Sequence, residues 1–300
     1  MAVWLITGCS SGFGRELAKA ALKHGEKVIA TSRNASRLSE LKSLGAATIS
    51  LNVNGTPAEI DATVVEAAKI HGTIDILVNN AAYVLVGGIE EIRHDPDVSP
   101  LPLIHLTIYS DAEARAQFNT NVFGPLSVIR SVLPFMRAMK SGVIANIGSL
   151  GGYASNAGSG YYCATKFALA GLTEALRAEV GPLGIQATVI EPGYFRTNFL
   201  KADVDGKTVA AKTIDDYKPT IDNVKNMLNM YDGKQPGDPA KGAQVIVEAL
   251  TGTGRAAGKA LPARLLLGSD AVPFVTSIQE RQNKEMEEWK DLISTTDHAN

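Results

Sequence analysis

The sequence is poor in cysteine and histidine. Its 300 residues include only two cysteines, Cys9 and Cys163, and five histidines. Two thiols cannot build a disulfide framework or a cysteine-rich zinc site, and so few cysteines are typical of a reducing compartment. The histidines form neither a His-Glu-x-x-His motif nor a His-x-His pair. We therefore expect a cytoplasmic protein without a metal site, in which both cysteines are small buried thiols.

The sequence also lacks an excess of charge and long hydrophobic runs. It has 29 basic and 31 acidic residues, for a net charge of −2, which argues against a surface for nucleic acid or anionic lipid. No apolar run approaches the roughly 18 residues of a membrane helix. The apolar residues 2–6 follow no basic segment, which predicts a strand and not a leader. We expect neither nucleic acid nor a membrane as a partner.

Short apolar runs alternate with amphipathic helical stretches through residues 1–200. Strands buried on both faces of a parallel sheet have such near-continuous apolar runs, and their alternation with helices indicates βαβ units. The sequence predicts a single α/β domain over residues 1–300, a Rossmann-type doubly wound parallel sheet with helices on both faces. Its ligand crevice would lie at the carboxyl ends of the strands. The predicted strands are 3–7, 27–31, 47–51, 74–78, 143–147 and 186–190, and the predicted helices are 13–24, 58–70, 111–140, 162–181, 240–250 and 278–293.

Three segments depart from this alternation. Residues 93–109 contain three prolines and no helical period, which predicts an exposed inserted loop. Residues 194–238 are mainly polar and irregular, with scattered aromatic and aliphatic side chains, and we expect them to form a lid over an apolar substrate. Residues 270–300 are predicted to form a C-terminal helical extension.

A glycine-rich turn lies between the first predicted strand and the first predicted helix. Glycines permit a tight turn and a close approach of diphosphate to the backbone, and the helix N-terminus offers free N–H groups. The spacing is Gly-x-x-x-Gly-x-Gly, not the Gly-x-Gly-x-x-Gly of the general dinucleotide motif. A purely structural turn is disfavoured because three glycines meet at this junction. The expected cofactor contacts here are Gly8, Ser10, Ser11, Gly12, Phe13 and Gly14.

A second group of polar residues begins with Ser149, directly after the fifth predicted strand. Tyr162 and Lys166 follow on a predicted helix, where the i, i+4 spacing places them on one face. A free phenol is a weak acid at pH 7, but a neighbouring ammonium and an oxidised nicotinamide lower its pKa. Such a tyrosine can exchange a proton with a substrate oxygen, and a serine hydroxyl can polarise a carbonyl. Taken alone, a Tyr-x-x-x-Lys pair is usually a solvated helix face.

Together these residues resemble the short-chain dehydrogenase/reductase family over nearly the whole chain. Asn79-Asn80-Ala81 is similar to the family's element after strand four, which steadies the sheet and lines the cofactor. The resemblance implies that Asn121 supports a proton-relay water and completes a tetrad with Ser149, Tyr162 and Lys166. It also implies that Lys166 binds the nicotinamide ribose. Further implied cofactor contacts are Tyr162, Pro192, Gly193, Phe195 and Thr197.

The sequence departs from the family pattern at three places. Ala82 replaces a glycine. Asn52, beside Val53, stands where an aspartate would usually meet the adenine, although the Asn52 side-chain oxygen can still accept a hydrogen bond; we keep both as expected cofactor contacts. Residues 93–109 are additional. They are either an added lid near the substrate entrance or the translation of an unspliced intron, because their removal joins Ile92 to Ser110 in the family's usual frame.

The end of the second strand predicts the choice of cofactor. A site that prefers NAD usually has a carboxylate there, to bind the ribose hydroxyls, whereas this sequence has Ser32 and Arg33. The Ser32 hydroxyl can donate to a phosphate and the Arg33 guanidinium suits phosphate oxygens, so we expect NADP(H). The alternative is that Arg33 is a solvent-exposed loop residue.

The sequence therefore predicts an NADP(H)-dependent oxidoreductase that interconverts a secondary alcohol and a ketone. Two alternatives stay open: a catalytically silent nucleotide-binding regulator on the same fold, and an epimerase or dehydratase of the extended branch. The resemblance also implies a homodimer or homotetramer that pairs the helices of 111–140 and 162–181, and we expect a small, apolar carbonyl or alcohol substrate.

Overall fold

Nine strands lie in the part of the chain that the computed structural model describes, which is residues 1–92, 112–201 and 206–298. Seven of them form one parallel sheet in the order β3-β2-β1-β4-β6-β7-β9, and β5 and β8 pair in a separate parallel ribbon. The strands are β1 (Val3–Ile6), β2 (Lys27–Ser32), β3 (Ala47–Ser50), β4 (Ile76–Asn79), β5 (Val84–Val86), β6 (Gly142–Ile147), β7 (Ile185–Pro192), β8 (Lys207–Val209) and β9 (Arg264–Leu267).

Helices cover both faces of the large sheet because its strands alternate their apolar side chains. Trp4 and Ile6 of β1 join the core under the first and eighth helices, and Val3 and Leu5 join the core under the third and fifth. The helices are α1 (Gly12–Lys23), α2 (Ser39–Ser43), α3 (Pro57–His71), α4 (Ala112–Phe118), α5 (Gly124–Met139), α6 (Gly160–Val180), α7 (Lys218–Tyr231), α8 (Pro239–Thr251) and α9 (Ala271–Ile293).

The predicted doubly wound parallel sheet is confirmed, and the boundaries of some elements are corrected. Strand β4 begins at Ile76 and not at residue 74. The helical stretch predicted at 111–140 is divided by a π-helical turn at Asn119–Phe123. Helix α9 begins at Ala271, seven positions before the predicted residue 278. A proline lies in its first turn, where the backbone N–H groups have no partner inside the helix. The missing N–H of this proline therefore costs the helix no hydrogen bond.

The structure bears differently on the segments that depart from the alternation of strands and helices. Residues 93–109 lie outside the described residues. The 194–238 segment contains β8 and α7, which the sequence did not predict as a strand and a complete helix. Residues 112–139 are long and apolar enough to cross a membrane by length and composition alone, although polar and charged residues interrupt their apolar runs. The buried residues Val128, Val132 and Met136 of this stretch pack in the core beside α3, as in a core helix that passes the same test.

Two helical glycines provide a test of how tightly the first turn is packed. A Cβ on Gly14 would lie 2.5 Å from both the carbonyl oxygen of Gly8 and the Nδ2 of Asn80, whereas nothing lies within 4 Å of a Cβ on Gly171. We expect Gly14→Ala to lower the free energy of unfolding by about 1–3 kcal/mol through overpacking. We expect Gly171→Ala to raise it by about 0.5–1 kcal/mol through helix propensity. Urea unfolding measures both, and equal effects of the two substitutions would contradict the close approach seen at Gly14.

Candidate active site

A cavity of about 780 Å³ opens at the carboxyl ends of the parallel strands. It lies where β1 and β4 meet, the point at which the strand order reverses and where this class of fold binds ligands. The cavity brings together most of the site residues predicted from sequence. Those that line it are Gly8, Ser10, Ser11, Gly12, Phe13, Ser32, Arg33, Asn52, Val53, Asn80, Ala81, Ser149, Tyr162, Lys166, Pro192, Gly193, Phe195 and Thr197.

The glycine turn delivers the N-terminus of α1 to this cavity. Gly8 and Gly12 have φ angles of +73° and +56°, which favour glycine. The N-cap residue Ser11 makes no side-chain hydrogen bond to the helix, and the first turn holds no acidic residue. The first N–H groups of α1 are therefore not capped by a side chain, and their partial positive charge suits a diphosphate. The residues present thus fit a dinucleotide.

Two of the predicted cofactor contacts are packing residues that do not line the cavity. Gly14 is buried against Gly8 and Asn80, as described above. Asn79 is buried inside the sheet, where its Nδ2 donates to the Oδ1 of Asn146 at 2.9 Å. Its neighbour Asn80 does line the cavity, and the Asn80 amide donates to the carbonyl oxygens of Thr7 and Gly8 at 2.9 and 3.1 Å. Asn79 is therefore engaged inside the sheet, Gly14 packs against the glycine turn, and the cofactor contact expected of each stays a prediction.

The end of β2 differs from expectation in one detail. The Ser32 hydroxyl donates to the carbonyl oxygen of Asn34 at 2.6 Å, so the proton expected to serve a phosphate is already used. Arg33 is exposed and lines the cavity, as does Arg37, which belongs to no motif predicted from the sequence. Arg37 stands four positions after Arg33, on a 3₁₀ turn, and that spacing was the available signal.

Two further polar residues, Asn52 and Arg15, have partners within the chain. The Oδ1 of Asn52 accepts a hydrogen bond from the backbone N–H of Asn54 at 3.1 Å and keeps a second lone pair. The Arg15 guanidinium donates to the carbonyl oxygen of Ser10 and lies 3.8 Å from the Oε2 of Glu40. The positive charge of Arg15 is therefore compensated by a carboxylate.

Ser149, Tyr162 and Lys166 converge on the far side of the cavity. Ser149 follows β6, and its Oγ accepts the backbone N–H of Gly151 at 3.1 Å. The Lys166 Nζ lies 5.6 Å from the centre of the Tyr162 ring and donates to the carbonyl oxygen of Ile147 at 2.7 Å. Lys166 is 2% exposed. The Tyr162 phenol therefore has a hydroxyl and an ammonium as neighbours, and all three residues line the cavity.

The protein groups around Tyr162 act against the lowered pKa that the sequence predicts for its phenol beside an oxidised nicotinamide. Burial raises the pKa of the Tyr162 phenol, and a hydrogen bond with the Ser149 side chain acts in the opposite direction without cancelling it. Burial also lowers the pKa of Lys166 to about 8. The protein groups alone therefore favour a neutral phenol, which is a proton donor. The predicted lowering of the Tyr162 pKa does not come from the residues around its hydroxyl.

The fourth predicted tetrad residue, Asn121, lies in the π-helical turn and does not line the cavity. Its Oδ1 accepts from the backbone N–H of Tyr83 at 3.1 Å. Its Nδ2 donates to the carbonyl oxygen of Tyr83 at 2.9 Å and to the Thr165 Oγ1 at 3.1 Å. Asn121 thus joins the segment after β4 to the residue before Lys166, and the proton-relay role implied for it stays a prediction.

The loop after β7 is held by the C-terminal helix. The Oδ2 of Asp270 accepts the backbone N–H of Tyr194 at 2.7 Å, and a Cβ on Gly193 would lie 2.2 Å from the Asp270 Oδ1. The ring of Phe195 packs on that of Phe13, with centroids 4.8 Å apart. Asp270 fixes the loop although no motif in the sequence pointed to it, because it is 76 residues away from Tyr194.

Apolar side chains line the remaining part of the cavity. They include Leu150, Phe199, Leu200 and Leu228, together with Phe274 from α9. The ring of Phe199 lies 6.2 Å from that of Tyr162, centre to centre. Leu200 and Leu228 belong to the segment predicted as a lid, whereas Phe274 belongs to the predicted C-terminal extension.

Two carboxylates connect the 206–217 part of the predicted lid to the rest of the chain. The Glu91 Oε1 accepts the backbone N–H of Ile214 at 2.9 Å, and the Glu113 Oε1 accepts that of Ala211 at 3.1 Å. These residues stand on either side of the 93–109 segment. They attach the lid at the same place as the β5–β8 ribbon does.

Both cysteines are buried, as predicted. Burial raises the pKa of the Cys9 thiol to about 12, and Cys163 lines the cavity beside Tyr162. Within residues 1–92, 112–201 and 206–298, no group of three or more histidine, cysteine, aspartate or glutamate side chains is placed to hold a metal ion.

A model of the short chain dehydrogenase family matches residues 2–208. The chain belongs to the short-chain dehydrogenase family. An oxidoreductase of Botryotinia fuckeliana, BOA17, is 31% identical over 302 residues, which cover 97% of each chain. A solved short-chain dehydrogenase from Streptomyces avermitilis is 36% identical with a TM-score of 0.83, and the match covers 99% of this chain and all of the other.

A more distant neighbour shows the same fold with a cofactor. The 3-ketoacyl-(acyl-carrier-protein) reductase of Brucella melitensis, solved with NADH, is 21% identical with a TM-score of 0.67, over 90% of this chain and 98% of the other. The short-chain dehydrogenase described here is therefore a member of an oxidoreductase family, and a neighbour of the same fold was solved with NADH.

The buried Lys166 gives a prediction that needs no substrate. Below pH 8 both the folded and the unfolded chain hold its proton, so the folded chain carries the full cost of a buried charge, on the order of 3 kcal/mol. Lys166→Met removes that cost but also the hydrogen bond to Ile147, and we expect a net gain of about 1–2 kcal/mol at pH 7. The gain shrinks as the pH rises from 8 towards 10.5, because the folded protein then loses the proton first.

Urea unfolding at pH 7 and pH 10 measures the effect of Lys166→Met. Lys241→Met, at an exposed lysine on α8, is the matched control and should change stability little at either pH. A Lys166→Met protein that is less stable than wild type by the same amount at both pH values would contradict the burial cost.

Proposed function

We propose that this short-chain dehydrogenase is an NADP(H)-dependent oxidoreductase that interconverts a secondary alcohol and a ketone, with Tyr162 as the general acid and base. The observation that carries the proposal is that Ser149, Tyr162 and Lys166 line the same cavity as the glycine turn. One ligand that spans the cavity can therefore touch both groups.

The residues of the chain divide the chemistry among them. The bound cofactor supplies or accepts the hydride at the carbonyl carbon. The Ser149 hydroxyl donates a hydrogen bond to the carbonyl oxygen and polarises it, and the Tyr162 phenol gives its proton to that oxygen during reduction. The raised pKa of Tyr162 keeps the proton in place until the oxygen becomes an alkoxide. Lys166 holds a cation beside the phenolate that remains.

Phe199, Leu150 and Phe274 line the substrate part of the cavity and favour an apolar ligand of medium size. They exclude water from the reacting carbonyl and offer few hydrogen bonds for a polar substrate. An aromatic ketone, a fatty or polyketide-derived ketone, a steroid and a retinoid all match this description. The silent regulator and the epimerase are less well supported, because the three reactive side chains are assembled and the chain is similar in length to its dehydrogenase relatives.

The preference for NADP(H) rests on residues of this chain, since a neighbour of the same fold was solved with NADH. Arg33 and Arg37 both line the cavity beyond the end of β2, and no carboxylate is among the described residues that line it. Two guanidinium groups attract a 2′-phosphate, and the ribose hydroxyls of NAD lack the carboxylate that usually binds them.

We also propose a homodimer or homotetramer in the cytoplasm. Phe123 is 55% exposed at the start of α5, and Phe167 is 46% exposed on α6, so that large apolar groups face outward on the helices that pair in the resembled family. The proposed location in the cytoplasm is supported by the two buried free thiols, which agree with a reducing compartment.

Light scattering tests the proposed oligomer. At micromolar concentration it should give the mass of two or four chains, and the mass of one chain would contradict the oligomer.

Tyr162 provides the direct test of the mechanism. We expect Tyr162→Phe to reduce kcat by at least about 100-fold, since it removes only the proton that the reaction moves, while NADPH binding followed by fluorescence stays close to wild type. The probes are acetophenone, 2-decanone and a 3-oxosteroid with NADPH. Tyr161→Phe, at the adjacent residue that packs beside Leu85 and not in the cavity, should keep wild-type turnover. Near-normal activity of Tyr162→Phe would refute the assignment.

Arg33 tests the choice of cofactor. We expect Arg33→Ala to weaken NADP(H) binding by about 1.5–3 kcal/mol, because a charged contact to phosphate is lost, and to leave NAD(H) binding nearly unchanged. Arg37→Ala should act in the same direction, and Arg281→Ala, on an exposed part of α9, should change neither. The measurement is kcat/KM with both cofactors. Equal use of both by wild type, or identical values for wild type and Arg33→Ala, would overturn the preference.

A further inference from the structure

An ion pair lies behind the loop that carries Ser149. Glu191, the residue before Pro192 in β7, has a side chain with no exposed surface, and Arg264 at the start of β9 faces it. The Arg264 Nε donates to the Glu191 Oε2 at 2.9 Å, and its Nη2 donates to the Oε1 of the same carboxylate. This is a two-pronged contact that only an arginine can make.

The same guanidinium also holds the loop after Ser149. The Arg264 Nη2 donates to the carbonyl oxygen of Gly152 at 3.1 Å. The centre of the guanidinium lies 3.8 Å from the middle of the Tyr153 ring, in a cation–π contact. Arg264 therefore touches two consecutive residues of the loop that begins at Ser149, in addition to Glu191 and to Glu174 of α6, whose Oε1 lies 3.9 Å from the Arg264 Nη1.

Glu191 packs against the loop from beneath, on both sides of Ser149. A Cβ on Gly148 would lie 3.0 Å from the Glu191 Cγ, and a Cβ on Gly152 would lie 3.2 Å from the Glu191 Oε1. The glycines thus allow the loop to rest directly on the buried carboxylate. The Ser149 Oγ in turn accepts the N–H of Gly151 within this loop, so its position follows that of the backbone.

A buried ion pair is weak evidence for stability, since apolar residues of similar volume often serve as well. Its directional contacts fix a geometry instead. None of the contacts of Glu191 or Arg264 described here is with a group that reacts. The pair is therefore suited to positioning and not to catalysis.

We propose that the Glu191–Arg264 pair positions Ser149, and fixes the location of its hydroxyl in the cavity by clamping residues 148–153 against the end of β7 and the start of β9. This inference rests on the proposed function, in which Ser149 polarises the carbonyl. A displacement of about 1 Å at such a group costs up to about 100-fold in rate.

The test substitutes Arg264→Lys, which keeps the charge but cannot hold the carboxylate by two prongs and the Gly152 carbonyl at once. We expect kcat to fall about 10- to 100-fold with the most active of the three ketone probes. The Kd for NADPH should stay within about twofold of wild type, because Arg264 does not line the cavity.

Arg177→Lys is the matched control. Arg177 bridges the first part of β7 and the segment before β9, since its two terminal nitrogens donate to the carbonyl oxygens of Ala187 and Leu261, each at 2.7 Å. It contacts no residue of the 148–153 loop through these bonds. We expect Arg177→Lys to lower stability without lowering kcat, which separates loss of packing from loss of positioning.

Two readouts decide between outcomes. In a Ser149→Ala background, Arg264→Lys should reduce kcat no further if it acts through Ser149, whereas a full additional loss would overturn the proposal. Backbone hydrogen exchange should become faster at residues 150–153 in Arg264→Lys and not in Arg177→Lys, and unchanged exchange there would also overturn it. The exchange measurement needs no substrate. If Ser149→Ala alone keeps full turnover, the proposed role of Ser149 in the reaction is wrong. The exchange measurement then still tests whether the Glu191–Arg264 pair holds residues 150–153 in place.

Discussion

All seven strands of the large sheet run in the same direction, and the rest of the molecule depends on that constraint. A parallel sheet places the carboxyl ends of its strands on one edge. The glycine turn, Asn80, Ser149 and Pro192 follow different strands and are far apart in sequence, yet they line one cavity. The direction of the strands alone brings these residues together. Further side-chain contacts are needed only to hold each loop in position at the edge of the sheet.

The side-chain contacts that hold the loops in position are the part of the site that sequence patterns do not predict. The apolar runs predicted six of the seven strands of the large sheet and their direction, but not β9, and the motifs predicted many of the residues that line the cavity, because both are local signals. The contacts of Arg264 with Glu191, of Asp270 with Tyr194, and of Glu91 with Ile214 join residues 73, 76 and 123 positions apart. No periodicity connects such pairs. The β5–β8 ribbon was missed for the same reason, since each strand has only three residues and finds its partner late in the chain.

Local chemistry also changed the role of predicted residues. Ser32 was expected to donate to a phosphate, but the carbonyl oxygen of Asn34 takes its proton. Asn79 was expected at the cofactor, but it binds Asn146 inside the sheet. A motif indicates which side chain is present at a position, but it does not predict which neighbouring group forms a hydrogen bond with that side chain. Burial acts similarly on Tyr162, whose pKa is raised by its surroundings although a cation lies nearby.

The C-terminal helix supplies Phe274 to the cavity and Asp270 to the loop beside it, and both lie beyond residues 2–208, which the family model matches. Under the proposed function, Ser149, Tyr162 and Lys166 thus lie in the part of the chain that the family model matches, while part of the cavity wall lies outside it. Such an arrangement lets the shape of the cavity vary while the reactive side chains are retained.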